Sequence, residues 1–178
     1  MLDISVAYNR YKFLGDEFLT WLWFSMEKDR DRLTTPDKEP FSIEIGNRIV
    51  LENRISEAVE SITIKGDDAG LEEGFLSLKK GAVVTELNLI YKVGNQEWKF
   101  NIKGESLCFS GLKHPDTGVV ESGDQVDGLV IEKLFLFEKV ADIVDGLFKI
   151  FIDLRLTDKW RTDVIPAIDR WIQSGLKN

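Results

Sequence analysis

VVTELNLIYKVGNQEWKFNIK, residues 83–103, reads as a β-hairpin. In its first run Leu87, Leu89 and Tyr91 alternate with polar residues. In its second, Trp98, Phe100 and Ile102 alternate with Lys99, Asn101 and Lys103. A period of two sends successive side chains to opposite faces of a sheet, so the apolar set faces a core and the lysine set faces out. Between the runs, Val93-Gly94-Asn95-Gln96 supplies a tight turn from residues that tolerate positive φ.

Working upstream, Phe41, Ile43 and Ile45 alternate with Ser42, Glu44 and Gly46. Gly46-Asn47 signals a turn, Arg48 to Leu51 returns as a second strand, and Glu57 to Lys65 reads as a third. Downstream, Gly104 ends the hairpin, and Leu107 and Phe109 mark one more strand. Every connection is short, which predicts an antiparallel, meandering sheet of five to six strands.

The helices flank this sheet. Lys12 to Lys28 carries Phe13, Leu14, Phe18, Leu19, Trp21, Leu22, Trp23, Phe24 and Met26, leaving only a narrow polar stripe. A helix apolar nearly all round must be covered on several sides. It is expected at the centre of the core, with Trp21, Trp23 and Phe24 as candidate contacts to a partner chain. Leu71 to Lys80 forms a short helix closed by Gly81. The longest helix runs from about Gly128 to Leu156, with a core stripe of Leu134, Phe137, Ala141, Val144, Phe148, Phe151 and Ile152. Its solvated face is Glu138, Asp142, Asp145, Lys149 and Asp153, with Asp145 and Lys149 spaced to pair. A last helix starts with Thr162 or Asp163 as N-cap and Pro166 in its first turn. Asp29 to Pro40 and Gly111 to Asp127 read as loops. The expected fold is α+β: one domain over residues 1–178, with the sheet packed against an N-terminal apolar helix and two C-terminal helices.

The chain has 178 residues, 43% apolar and 30% charged, with net charge −8. No apolar run reaches the roughly 18 residues needed to span a bilayer, and the N-terminus has no basic-then-apolar signal pattern. Cys108 is the lone cysteine, which fits a reducing cytoplasm. A negative chain cannot grip nucleic acid with its whole surface, because phosphate contacts supply most of that affinity. Binding would need a local basic face. Lys92, Lys99 and Lys103 on neighbouring strands are its candidates, together with Arg48 and with Lys79 and Lys80 at the end of the short helix.

Catalytic constellations are sparse. A triad or dyad would have to use His114, the only histidine, with Cys108 nearby in sequence. One Cys and one His cannot close a zinc site. Asp67, Asp68, Glu72 and Glu73 cluster without a phosphate-binding glycine loop. Pro36-Asp37 with Glu97-Trp98-Lys99 imitates a magnesium nuclease motif, at a spacing too long for one, and Trp98 fits better as a core residue. No enzyme activity, metal or cofactor is therefore expected.

Three segments together resemble the recombination-associated protein RdgC family. The first is Phe13-Leu14-Gly15-Asp16-Glu17-Phe18-Leu19-Thr20-Trp21-Leu22-Trp23-Phe24. The second runs from Gly74 to Gly111, through Lys79-Lys80-Gly81, Val84-Thr85-Glu86-Leu87-Asn88-Leu89 and Glu97-Trp98-Lys99-Phe100. The third runs from Glu132-Lys133-Leu134-Phe135-Leu136-Phe137-Glu138 to Leu154-Arg155-Leu156-Thr157-Asp158-Lys159-Trp160. The resemblance covers nearly all of this chain but only the C-terminal part of the family's sequence, whose members carry a long N-terminal half. It implies a homodimer, or a heteromer with a separately encoded N-terminal half. It also implies binding of duplex DNA without sequence preference, a RecA-type recombinase as partner, and a place at the nucleoid. A protein-interaction module without DNA contact is the competing expectation.

Overall fold

The computed structural model of the chain describes residues 4–34, 40–53, 60–65, 68–116 and 126–175. Strands β1 (Phe41–Asn53), β2 (Glu60–Ile64), β3 (Val83–Val93), β4 (Gln96–Lys103) and β5 (Phe109–Lys113) form one antiparallel sheet in the order β2-β1-β3-β4-β5. Helices α1 (Ile4–Lys28), α2 (Asp68–Lys79), α3 (Val126–Arg155) and α4 (Ile165–Ser174) complete the α+β fold. The β3–β4 hairpin stands as its alternation dictates: Tyr91 opposes Trp98, Leu89 opposes Phe100 and Leu87 opposes Ile102, all six buried. Gly94, at φ 54°, makes the turn.

α1 lies across β3 at the centre of the core. Trp21, Trp23 and Phe24, the candidate partner contacts, are 1%, 0% and 8% exposed and are spent on the chain's own packing. Trp21 packs at a tilt against Phe151, with ring centroids 5.7 Å apart, while Trp23 meets both Phe75 and Trp171 at 5.3 Å. Glu27 joins two of these elements by accepting hydrogen bonds from the indole N–H groups of Trp23 (2.6 Å) and Trp171 (2.9 Å). At the other end, α1 rides so close to the turn after β4 that a Cβ on Gly15 would stand 1.8 Å from the Gly104 carbonyl oxygen.

Four local readings change. Gly46-Asn47 is a β-bulge inside one continuous strand, not a turn between two. The bulge holds because Gly46 has no Cβ to meet Asn88, whose Oδ1 accepts the Asn47 N–H at 3.1 Å. The last helix has no side-chain N-cap: a π-helical turn, Trp160–Val164, leads straight into α4. Thr162 is inside that turn and donates back to the Asp158 carbonyl at 3.3 Å. A proline in a regular helix collides with the carbonyl four residues back, here that of Thr162; the wider π turn ahead of Pro166 relieves this. In α3 Leu136, Val140, Ile143, Val144, Leu147 and Phe151 are buried; of the expected stripe Val144 and Phe151 are in the core and Phe148 and Ile152 pack partly buried against it, whereas Leu134 and Phe137 are exposed. Finally, Lys149 pairs with Asp153 at 2.6 Å rather than with Asp145.

Candidate nucleic-acid interface

Among the described residues, the helices cover one face of the sheet and none packs across the other. On the open face the cations form two rows. Directly opposed positions place Lys113 against Lys99 and Glu97 against Lys92, so one row crosses β3, β4 and β5. At the other end Lys103 opposes Glu86, and Arg48 of β1 reaches the same carboxylate at 3.5 Å. Four residues along β4 separate the rows, about 13 Å at strand rise. Between them, Asn88 donates to Asn101 Oδ1 at 2.8 Å and to the Phe100 carbonyl at 3.3 Å. That amide pair ties β3 to β4 and keeps the rows in register.

The structure thus brings Arg48, Lys92, Lys99 and Lys103 together. Lys79 and Lys80 are apart from them: they end α2, which packs through Phe75 against Trp23 and Trp171 on the helix-covered side. Lys113 is an addition. Its position follows from β5 extending four residues past Phe109, into a stretch that its Gly, Asp and Ser content marks as loop.

Carboxylates interleave with the cations. Glu97 bridges Lys99 at 2.9 Å and Lys92 at 3.3 Å. Hydrogen bonds from Lys99 first and Lys92 second hold its carboxyl below the usual carboxylate range, so it stays ionised. Beyond Glu86, the hollow of about 250 Å³ at the Arg48–Lys103 end is also lined by Asp16, Glu52 and Glu105. Among the described residues, Lys103 and Lys113 are the cations of this face without a carboxylate partner.

The residues of the catalytic motifs are distributed otherwise. Trp98 is fully buried, and Glu97 is in the exposed lysine bridge. Asp37 and Asp67 lie outside the described residues. The His114 Nδ1 atom is 2.6 Å from the Pro115 carbonyl oxygen, and Cys108 is an exposed thiol. Among the described residues, no three of His, Cys, Asp and Glu converge as a metal would require, and no helix is long and apolar enough to cross a membrane.

No family model, curated protein or solved structure matches this chain.

Proposed function

We propose that this chain is a non-catalytic DNA-associated protein whose open sheet face rests on the phosphate backbone of duplex DNA. One observation carries the reading: on a chain of net charge −8, Arg48, Lys92, Lys99, Lys103 and Lys113 stand in two rows on the one sheet face that no described helix covers. Cations spaced in rows position a protein on phosphates and read no bases. Glu86 and Glu97 compete with phosphate for three of the five, so affinity is low and its salt dependence is that of only a few phosphate contacts. The likeness of three segments to the RdgC family points the same way and supplies the wider role. That role is modulation of recombination at the nucleoid, with a RecA-type recombinase as partner.

The test is retention on duplex DNA across a salt series. Retention is expected near 50 mM salt, insensitive to base sequence, with a slope corresponding to about two to three phosphate contacts. The triple variant Lys99→Glu, Lys103→Glu, Lys113→Glu abolishes it. Absence of retention at low salt, or retention unchanged in the triple variant, refutes the reading. In that case the chain is a protein-interaction module that pairs with a separate partner, a role favoured by the uncovered apolar side chains on α3.

A further inference from the structure

Val130, Ile131, Leu134 and Phe135 are 50%, 67%, 62% and 66% exposed on the first turns of α3. At about 100° per residue they fall within an arc of about 140°. That arc lies opposite the line of Leu136, Val140, Ile143 and Leu147, which packs into the core. The patch therefore faces directly away from the body. The largest contiguous apolar patch exposed on a folded monomer is often functional.

Charge identifies the occupant. Asp127 and Glu138 fall on the same arc, one at each end of the patch, eleven residues or about 16 Å apart along the helix. Both are exposed, and neither has an ion-pair partner among the described residues. Asp127 also complements the positive end of the helix dipole; Glu138, three turns in, has no such role. In a second copy paired through the patch the two end acids meet like charge in either orientation, and only Glu132 and Lys133, exposed but about 60° outside the arc, would meet opposite charge in the antiparallel one. Antiparallel pairing about the apolar centre opposes Asp127 to Glu138 at both ends, and parallel pairing opposes each acid to itself. Like-charge juxtaposition at an interface is costly. An anionic membrane surface is disfavoured for the same reason.

We infer that the first turns of α3 dock a basic amphipathic helix of another protein, with an apolar stripe seated on Leu134 and Phe135 and Lys or Arg residues at its two ends meeting Asp127 and Glu138. This is helix-on-helix recognition with the charged positions setting register. It uses a surface separate from the open sheet face and stands or falls independently of DNA binding.

The test uses the full chain and a fluorescent synthetic 18-residue helical peptide of Leu and Lys, read by anisotropy. Saturable one-to-one binding is expected. Leu134→Glu with Phe135→Glu weakens it at least tenfold, and so does Asp127→Lys with Glu138→Lys. Glu72→Lys with Glu73→Lys, an equal change in net charge on α2, shifts it less than twofold. A peptide with Glu in place of Lys does not bind. Unchanged urea midpoints establish that the variants are folded. The inference is overturned if the α2 reversal weakens binding as much as the α3 reversal, or if the patch variants bind normally. It is equally overturned if the chain alone sediments as a dimer that the Leu134→Glu, Phe135→Glu pair dissociates, since the occupant is then a second copy.

Discussion

α1 and the first turns of α3 are built from the same kind of sequence and meet opposite fates. Each carries large apolar side chains around most of its circumference. In α1 those side chains are walled in by the sheet, α2, α3 and α4, and Phe18, Leu19, Trp21, Leu22 and Trp23 are buried. In α3 one line is buried while the opposite line faces solvent. The remainder of α3 shows what a solvated outward face looks like, for there it becomes Asp142, Asp145, Lys149 and Asp153, all exposed. An apolar face thus reports a need for cover without saying whether the cover comes from the same chain. The difference is testable, because apolar residues serving the fold are felt in stability and those serving a partner are not.

The largest effect is expected where α1 is seated. Gly15→Ala adds a Cβ against backbone atoms of Gly104, at 1.8 Å from the oxygen and 2.3 Å from the carbon. The Gly104 N–H is itself tied to the Thr85 carbonyl at 2.9 Å, so the turn cannot retreat freely. Alanine favours a helix by about 1 kcal/mol over glycine, but overpacking against backbone outweighs it. Because the obstacle is backbone, the overpacking cost is about 3–4 kcal/mol, at and just beyond the upper end of the usual range, and a net loss of about 2–3 kcal/mol is expected in urea unfolding. A variant as stable as the parent would show that α1 is not clamped there, and would break the contrast with α3. Next comes Glu27→Leu, which leaves the Trp23 and Trp171 indole N–H groups without their acceptor. Each unsatisfied donor in a buried setting costs about 1–3 kcal/mol, offset in part by the apolar replacement, so a loss of about 2 kcal/mol is expected by the same measurement.

Much of this was legible in advance, and what was not has a physical reason. The β3–β4 hairpin needs only local alternation and a turn, so its faces follow from residues 83–103 alone. Gly46-Asn47 defeats local reading because a turn and a bulge ask for the same residues, and Asn88, forty-one positions away, decides between them. The outward lysines were legible from the alternation that buries Trp98 and Phe100. Their neutralisation was not, since the pairing of Lys92 and Lys99 with Glu97 depends on cross-strand register. The exposed line of α3 had a signal in LVIEKLFLF, residues 129–137, which is apolar on both sides of a helix. Periodicity identifies such a stretch as needing cover on two sides, but only the packed fold shows which side the chain covers.

The open sheet face sharpens the contrast, because it is uncovered without being apolar. Its charges satisfy one another, and Glu97 is the hinge of that balance. Glu97→Gln frees Lys92 and Lys99 for phosphate. A gain of about threefold in DNA retention at low salt and a steeper salt slope are expected. Acid acts in the same direction. The Glu97 carboxyl is held below the ordinary range, so it remains ionised from neutral pH down through the pH at which free carboxylates protonate. The small stability contributed by its lysine bridges is present above the unfolded-state pKa and is lost only as pH falls through the lower folded value. Between pH 5 and 8 the parent's DNA retention is therefore flat with respect to Glu97. A retention that changes over that window in the parent but not in Glu97→Gln would contradict the bridge.

The smallest effect is the most discriminating. Leu134→Glu with Phe135→Glu replaces two side chains of the exposed α3 line, 62% and 66% open to solvent, that pack against nothing in the core. Surface substitutions away from caps, cores and networks stay within about 0.5 kcal/mol. Glutamate is a better helix former than phenylalanine by a few tenths of a kcal/mol. That gain offsets the repulsion between Glu138 and a glutamate introduced four residues before it. The urea midpoint should therefore not move, although two large apolar groups have been removed. A comparable pair of deletions in α1 would be expected to abolish folding at Phe18 and Trp21, where each truncation costs about 3–5 kcal/mol. If the α3 pair lowers the midpoint as well, that line is closed by the chain itself in solution, and the two helices are alike after all.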